Sequence, residues 1–269
     1  MSVAALLLAW LPLAQEPAAA APRESSPALE QVVVIGASLT TGFGLERTLA
    51  DVLTASLADP HKPLASVGDL LMFTRPLRSG GEQLERALDA EPTLVIALDF
   101  LFWFGYGTIG PDGGPMASEA ERLALLERGL ALFAEYEGPL VLADFPDMSA
   151  AVGKMITKEQ QPAKATLAKL SERVRAFAAA RPKTLVLPFS ELVRTLKAEQ
   201  DVHIGRHTYP RGSRLLQPDE LHPTLEGMVA VGQLVLDELV KAALVREDEV
   251  LFERERVLAR VREAARPPR

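Results

Sequence analysis

A serine and a histidine near opposite ends of the chain carry the clearest chemical signal. Ser38 follows Val32-Val33-Val34-Ile35-Gly36-Ala37, a β-branched apolar run that ends in glycine. Such a run suits a strand buried on both faces of a parallel sheet. A serine just past the carboxyl end of a first strand lies where open α/β sheets place their ligands. It becomes a nucleophile if a histidine takes its proton. His222 stands in Pro218-Asp219-Glu220-Leu221-His222-Pro223, with Asp219 three residues before it. At that spacing both side chains can share one side of a turn, where the acid fixes the imidazole tautomer and stabilises its charged form. The chemistry would be acyl transfer: Ser38 attacks a carbonyl, His222 carries the proton and Asp219 orients His222. His61, His203 and His207 have no such context. His203 and His207 are four apart, but no nearby acidic pair completes a metal site, so no metal is expected.

The two segments together resemble the SGNH (GDSL) hydrolase family. Its first block, Gly-Asp-Ser-Leu-Thr-x-Gly, is similar to Gly36-Ala37-Ser38-Leu39-Thr40-Thr41-Gly42, and its last, Asp-x-x-His-Pro, to Asp219 through Pro223. The resemblance covers roughly residues 30–245. It implies a three-layer α/β/α sandwich with a parallel, flavodoxin-like sheet in the order 2-1-3-4-5. It also implies an esterase that needs no cofactor and cleaves an ester or thioester through an acyl-enzyme. The family's oxyanion hole has three donors: the serine N–H, a glycine N–H and an asparagine side chain. Gly80 or Gly81 matches the glycine.

The third donor is where the sequence departs from the family. The family's Gly-x-Asn-Asp block falls on Ala97-Leu98-Asp99-Phe100, so Asp99 stands where asparagine is expected, and the chain contains no asparagine at all. An ionised carboxylate accepts hydrogen bonds and cannot donate. Three outcomes are open. Asp99 is protonated in apolar surroundings and donates; it points away and leaves two backbone donors; or ester hydrolysis is weak. The last outcome belongs with an alternative function, an SGNH-like protein that binds a glycan or lipid, or transfers acyl groups. Ala37 likewise replaces the aspartate of the first block. Phe100, Phe102, Trp103, Phe104 and Tyr106 form an aromatic run after Asp99. Trp103 and Tyr106 are the candidate substrate contacts, because their polar tips suit partly wet sites. Asp144 and Asp147 are read as turn-forming or capping residues at a strand end. The Gly36–Gly44 segment lacks both the lysine of a phosphate-binding P-loop and the glycine spacing of a dinucleotide fingerprint.

These residues need a scaffold, and the pattern supplies one. Buried strands are expected at 31–36, 94–98, 140–143 and 185–187, with a possible strand at 70–73. Helices are expected at 45–57, from Ser79 through Leu88, and at 117–136, 158–180, 190–196 and 224–244. Ser118 and Glu121 form the capping box of the 117–136 helix. Strands alternating with helices predict a parallel sheet covered on both faces. Residues 198–218 read as a surface loop. Residues 246–269 read as a charged tail forming an exposed or partner-docking helix.

The 269 residues suit one domain, 30–245, plus tails. A net charge of −7 argues against nucleic acid, and the lack of cysteine removes disulfides and thiol chemistry. Residues 1–21 resemble a secretory signal with an apolar stretch too short to span a bilayer, and 22–29 read as a linker. The expectation is therefore a secreted or periplasmic protein, with no membrane span, acting on a small-molecule, glycan or lipid ester.

Overall fold

The computed structural model describes residues 25–58, 61–110, 114, 116 and 118–264. The expected signal segment, 1–21, lies outside them. Five strands, β1 (Val32–Gly36), β2 (Ala65–Gly68), β3 (Leu94–Ala97), β4 (Leu140–Ala143) and β5 (Thr184–Leu187), form a parallel sheet in the order β2-β1-β3-β4-β5. The predicted order 2-1-3-4-5 is the observed one. β1, β3 and β4 are buried along their whole length, whereas β2 and β5, at the edges, are partly exposed. Continuous apolar runs therefore mark the three central strands.

Nine α-helices stand among the described residues: α1 (Ser38–Thr41), α2 (Leu49–Ala55), α3 (Pro76–Leu88), α4 (Phe102–Tyr106), α5 (Glu119–Ala131), α6 (Lys164–Ala179), α7 (Phe189–Lys197), α8 (Leu225–Lys241) and α9 (Arg254–Ala264). Alternate strand residues enter opposite halves of the core. Val32, Val34, Leu94 and Ile96 pack with α2, α8 and α9. Val33, Ile35, Val95 and Ala97 pack with α3, α4, α5 and α6. Helix starts follow local chemistry: Thr48 with Asp51 and Ser118 with Glu121 form complete capping boxes, and Thr224 accepts from Gly227 N–H.

Four expectations are corrected. The second strand is Ala65–Gly68, not 70–73: Leu70 and Leu71 are exposed, and Met72–Thr74 forms a 3-10 turn. As an edge element, β2 carries no long apolar run to announce it. α3 starts at Pro76 rather than Ser79, because proline has φ preset for a first turn and no N–H to satisfy. Within 198–218, Val202–Ile204 (β6) and His207–Tyr209 (β7) form an antiparallel hairpin that buries Val202, Ile204 and Tyr209.

The C-terminal segment is part of the domain. Val257, Leu258 and Val261 of α9 are buried in the core half that holds α2 and α8. Leu251 N–H donates to Ser56 O, and Ala58 N–H donates to Glu249 O, each at 2.8 Å. Ser26, in the segment expected to be a linker, hydrogen-bonds Glu249 through its amide and its hydroxyl. The charges of α9 suggest an exposed or partner-docking helix, but its three apolar side chains pack within the domain itself. Leu258→Ala is therefore expected to cost about 2–5 kcal/mol in urea unfolding. A loss below about 0.5 kcal/mol, typical of surface positions, would contradict the docking.

Candidate active site

The turn that carries Ser38 is built by a close approach of two strand ends. Asp99 lies just beyond β3, buried. Its Oδ2 accepts from Leu39 N–H at 2.7 Å and Thr40 N–H at 3.4 Å, and Thr40 Oγ1 lies 2.7 Å from its Oδ1. Gly36 makes room for it, since a Cβ there would come within 2.0 Å of Asp99 Oδ1. The turn leaves Ser38 half-buried at the carboxyl edge of the sheet. Asp99 is thus an acceptor that grips the turn from behind, and the oxyanion-donor role expected for it does not fit. Of the three sequence-based outcomes, the geometry matches a side chain turned to the backbone.

His222 is held by a loop tied at several points. Leu216 bridges Pro223 in antiparallel fashion, and Gln217 N–H donates to His222 O at 2.7 Å. Asp219 Oδ1 accepts from Leu221 N–H at 2.9 Å and His222 N–H at 3.0 Å, and Oδ2 lies 2.7 Å from His222 Nδ1. A carboxylate only accepts, so Nδ1 carries a proton, and in the neutral ring Nε2 is the nitrogen left to accept. Burial alone would push the Asp219 carboxyl up. The backbone and ring hydrogen bonds of His222, with that of Leu221 N–H, outweigh burial and hold it below the ordinary range.

Ser38 and His222 line one cavity of about 110 Å³. The structure thus brings together the two ends of the predicted pair, with Asp219 behind the imidazole. No direct hydrogen bond joins Ser38 and His222 among the described residues; such contacts are often long in unliganded sites.

Two residues that sequence reasoning missed join the loops. Gln217 Nε2 donates to Phe43 O and to Pro223 O, each at 2.8 Å, and so ties the segment after Ser38 to the segment that bears His222. Gly44 permits this, because a Cβ there would lie 2.7 Å from Gln217 Oε1. The Phe43 ring stacks on the imidazole with centroids 4.3 Å apart and 29° between planes. Only Phe43's place directly after the first motif hints at this; nothing in the sequence marks Gln217.

Other site expectations are corrected. Gly80 and Gly81 sit in the second turn of α3, past the Ser79 N–H that already donates to Arg75 O, so their amides belong to the helix ladder. Gly80 is there for packing, facing Phe100, Leu132 and Phe104. The glycine that borders the Ser38 turn is Gly68, whose added Cβ would meet Thr41 Cγ2 at 2.5 Å. It lay in the segment whose strand was misplaced. Trp103 is buried against Phe73 and Phe102, away from the cavity. Tyr106 is also spent on structure: its hydroxyl donates to Pro146 O and accepts from Met148 N–H, and burial raises its pKa. From this helix it is Phe102, stacked on Tyr106, that lines the cavity. Asp144 accepts from Ser190 N–H at 2.7 Å and Ser190 Oγ at 2.6 Å, and it pairs with Arg175. Asp147 accepts from Ser149 N–H and pairs with Lys197. Both act as capping and turn residues.

No family model and no curated protein matches the sequence. Solved structures do. A GDSL-like lipase from Bacteroides thetaiotaomicron superposes with a TM-score of 0.52 at 17% identity, over 83% of this chain and 94% of that one. The fold is that of the GDSL-like hydrolases. A Bacteroides fragilis protein assigned as an acylhydrolase gives 0.51 at 17% identity, over 80% of this chain and 88% of that one. A gut microbial diltiazem-metabolizing enzyme gives 0.50 at 14% identity; this chain spans 80% of its own length but only 47% of that enzyme's. In the GDSL-like fold seen here, the Ser38 turn follows β1 and the His222 loop precedes α8, so both meet at one sheet edge.

Burial drives the Asp99 carboxyl up, and the bonds from Thr40 Oγ1 and the Ala37, Leu39 and Thr40 amides offset this only in part. The folded state therefore binds this proton more tightly than the unfolded chain. Its contribution to stability is full below the ordinary carboxylate value of about 3.9 and is lost as pH rises through the higher folded value. Asp99→Asn keeps an acceptor for Leu39 N–H and removes that loss. The urea midpoint of the variant minus that of the wild type should increase from about pH 4 upward. A difference that does not change with pH would contradict the raised carboxyl.

Proposed function

We propose that this protein is a serine hydrolase that cleaves a carboxylic ester or thioester through an acyl-enzyme. The observation that carries the reading is the cavity shared by Ser38 and an imidazole whose Nδ1 is committed to Asp219. In the first step His222 Nε2 takes the Ser38 proton as Oγ bonds to the carbonyl carbon. The imidazolium then gives that proton to the leaving oxygen or sulfur, and the acyl group stays on Ser38. In the second step His222 Nε2 takes a proton from water, hydroxide attacks the acyl carbon, and Ser38 recovers its proton. Asp219 stabilises the imidazolium in both steps.

The oxyanion of each tetrahedral intermediate falls to the Ser38 amide, since those of Ala37, Leu39 and Thr40 are given to Asp99, with Gly68 beside it. Asp99 contributes by holding the turn rigid, which is the preorganisation such donors need. Phe43 adds a ring face against the imidazole, where aromatic quadrupoles favour positive charge. Gln217 acts as a positioning residue through the backbone of both loops.

Turnover of p-nitrophenyl esters by wild type and Ser38→Ala tests the proposal. Ser38→Ala should lower kcat by at least about 1000-fold, and Asp219→Asn by about 10⁴-fold through the wrong tautomer. Equal rates in wild type and Ser38→Ala would reject it. Gln217→Ala should lower kcat about 10- to 100-fold with KM nearly unchanged, as expected for misplacement of a catalytic group. A rise in KM alone would assign Gln217 to substrate binding instead.

A further inference from the structure

The cavity beside Ser38 has a chemical character of its own. Among its lining residues only Ser38, Asp99, Asp144 and His222 carry polar side chains. Asp99 is engaged with Leu39 and Thr40, and Asp144 with Ser190 and Arg175. The polar atoms left to meet a ligand are therefore those of Ser38 and His222. The other lining side chains are hydrocarbon, aromatic ring or the Met148 thioether, which suits an apolar group better than a sugar with its many hydroxyls.

The walls show how the space is made. On α7, Phe189, Leu192, Val193 and Leu196 recur at helical spacing and form one apolar stripe on the cavity. On α8, Gly227, Ala230 and Val231 share the opposite face, and Ala143 closes the end of β4. Gly227 is small for a separate reason, since a Cβ there would strike Leu215 O at 1.9 Å. Ala230 lines the same wall, and its short side chain keeps the cavity open. Leu192 and Leu196 stay only partly buried, which is unusual for the inner face of an amphipathic helix with a packed partner.

We propose that this cavity is an acyl-chain site that selects an unbranched acyl group of about four to six carbons. An apolar cavity of about 150 Å³ holds benzene, so the 110 Å³ here sets that limit. The assignment rests on Ser38 being the nucleophile, since the acyl carbon must sit at its Oγ with the chain running between α7 and α8.

The test is a series of p-nitrophenyl esters from acetate to decanoate, run on wild type, Ser38→Ala, Ala230→Leu and Leu192→Trp. Each buried methylene should raise wild-type kcat/KM about four-fold from acetate to hexanoate, with no further gain at decanoate. Ala230→Leu and Leu192→Trp should each move the optimum to a shorter chain. Ser38-dependent turnover that is best with acetate, or is indifferent to chain length, would overturn the acyl-site assignment and leave the hydrolase reading intact. So would a gain that follows chain length in the alcohol of acetate esters rather than in the acyl group. Titration of the wild-type protein with hexanoate and acetate, followed by NMR at the methyls of Ala230 and Val231, separates the two readings. Saturable shifts with hexanoate alone, together with Ser38-dependent turnover, support the acyl-site assignment; the same shifts with no ester hydrolysed leave an apolar-chain cavity but overturn both the acyl-site assignment and the hydrolase reading. No shift with hexanoate overturns the cavity assignment.

Discussion

A carboxylate buried behind the Ser38 turn organises the site. Asp99 sits at the end of β3, and one of its oxygens receives the amides of Leu39 and Thr40 together. Taking a carboxyl out of water costs several kcal/mol when it is ionised, and only its hydrogen bonds offset this. The bonds it makes are all to the segment that bears the serine. The geometry works only because Gly36 presents no side chain to Asp99 Oδ1. Adjacency of β1 and β3 in the sheet, a consequence of the 2-1-3-4-5 order, places the two strand ends side by side.

The same constraint extends to the other end of the chain. The 215–224 loop is tied internally by Thr224 N–H to Leu215 O and Gln217 N–H to His222 O. It is tied externally by Gln217 to Phe43 O. α8 then leads from this loop into the core, where α2 and α9 cover it. The imidazole therefore hangs on a framework that includes β1, the Ser38 turn and the C-terminal helix. α9 packs on α8, so the charged terminal segment is joined to the helix that follows the His222 loop.

Much of this was legible in the sequence, for physical reasons that differ by element. Val32 through Ile35, Leu94 through Ala97 and Leu140 through Ala143 are buried on both faces, and such strands write themselves as unbroken apolar runs. Ala65 through Gly68 is an edge strand under no such demand, and the more apolar Leu70-Leu71 next to it was the better lure. Asp219 and His222 were readable because three-residue spacing within a turn is a local property. Gln217 and Phe43 act across 174 residues of chain, a distance at which pattern carries no information. Trp103 and Tyr106 do not line the cavity, and residue type could not show this because it does not say which way a short helix turns. α4 points Tyr106 at the backbone of 146–148 and leaves Phe102 to face the cavity.

The central claim is that Ser38 is an activated nucleophile, and the most direct measurement is labelling by a fluorophosphonate probe followed by peptide mapping. The account predicts a single modified serine, Ser38, with labelling abolished in His222→Gln while the variant keeps its fold by circular dichroism. A folded wild-type protein that takes up no label, or takes it at another serine, would contradict it.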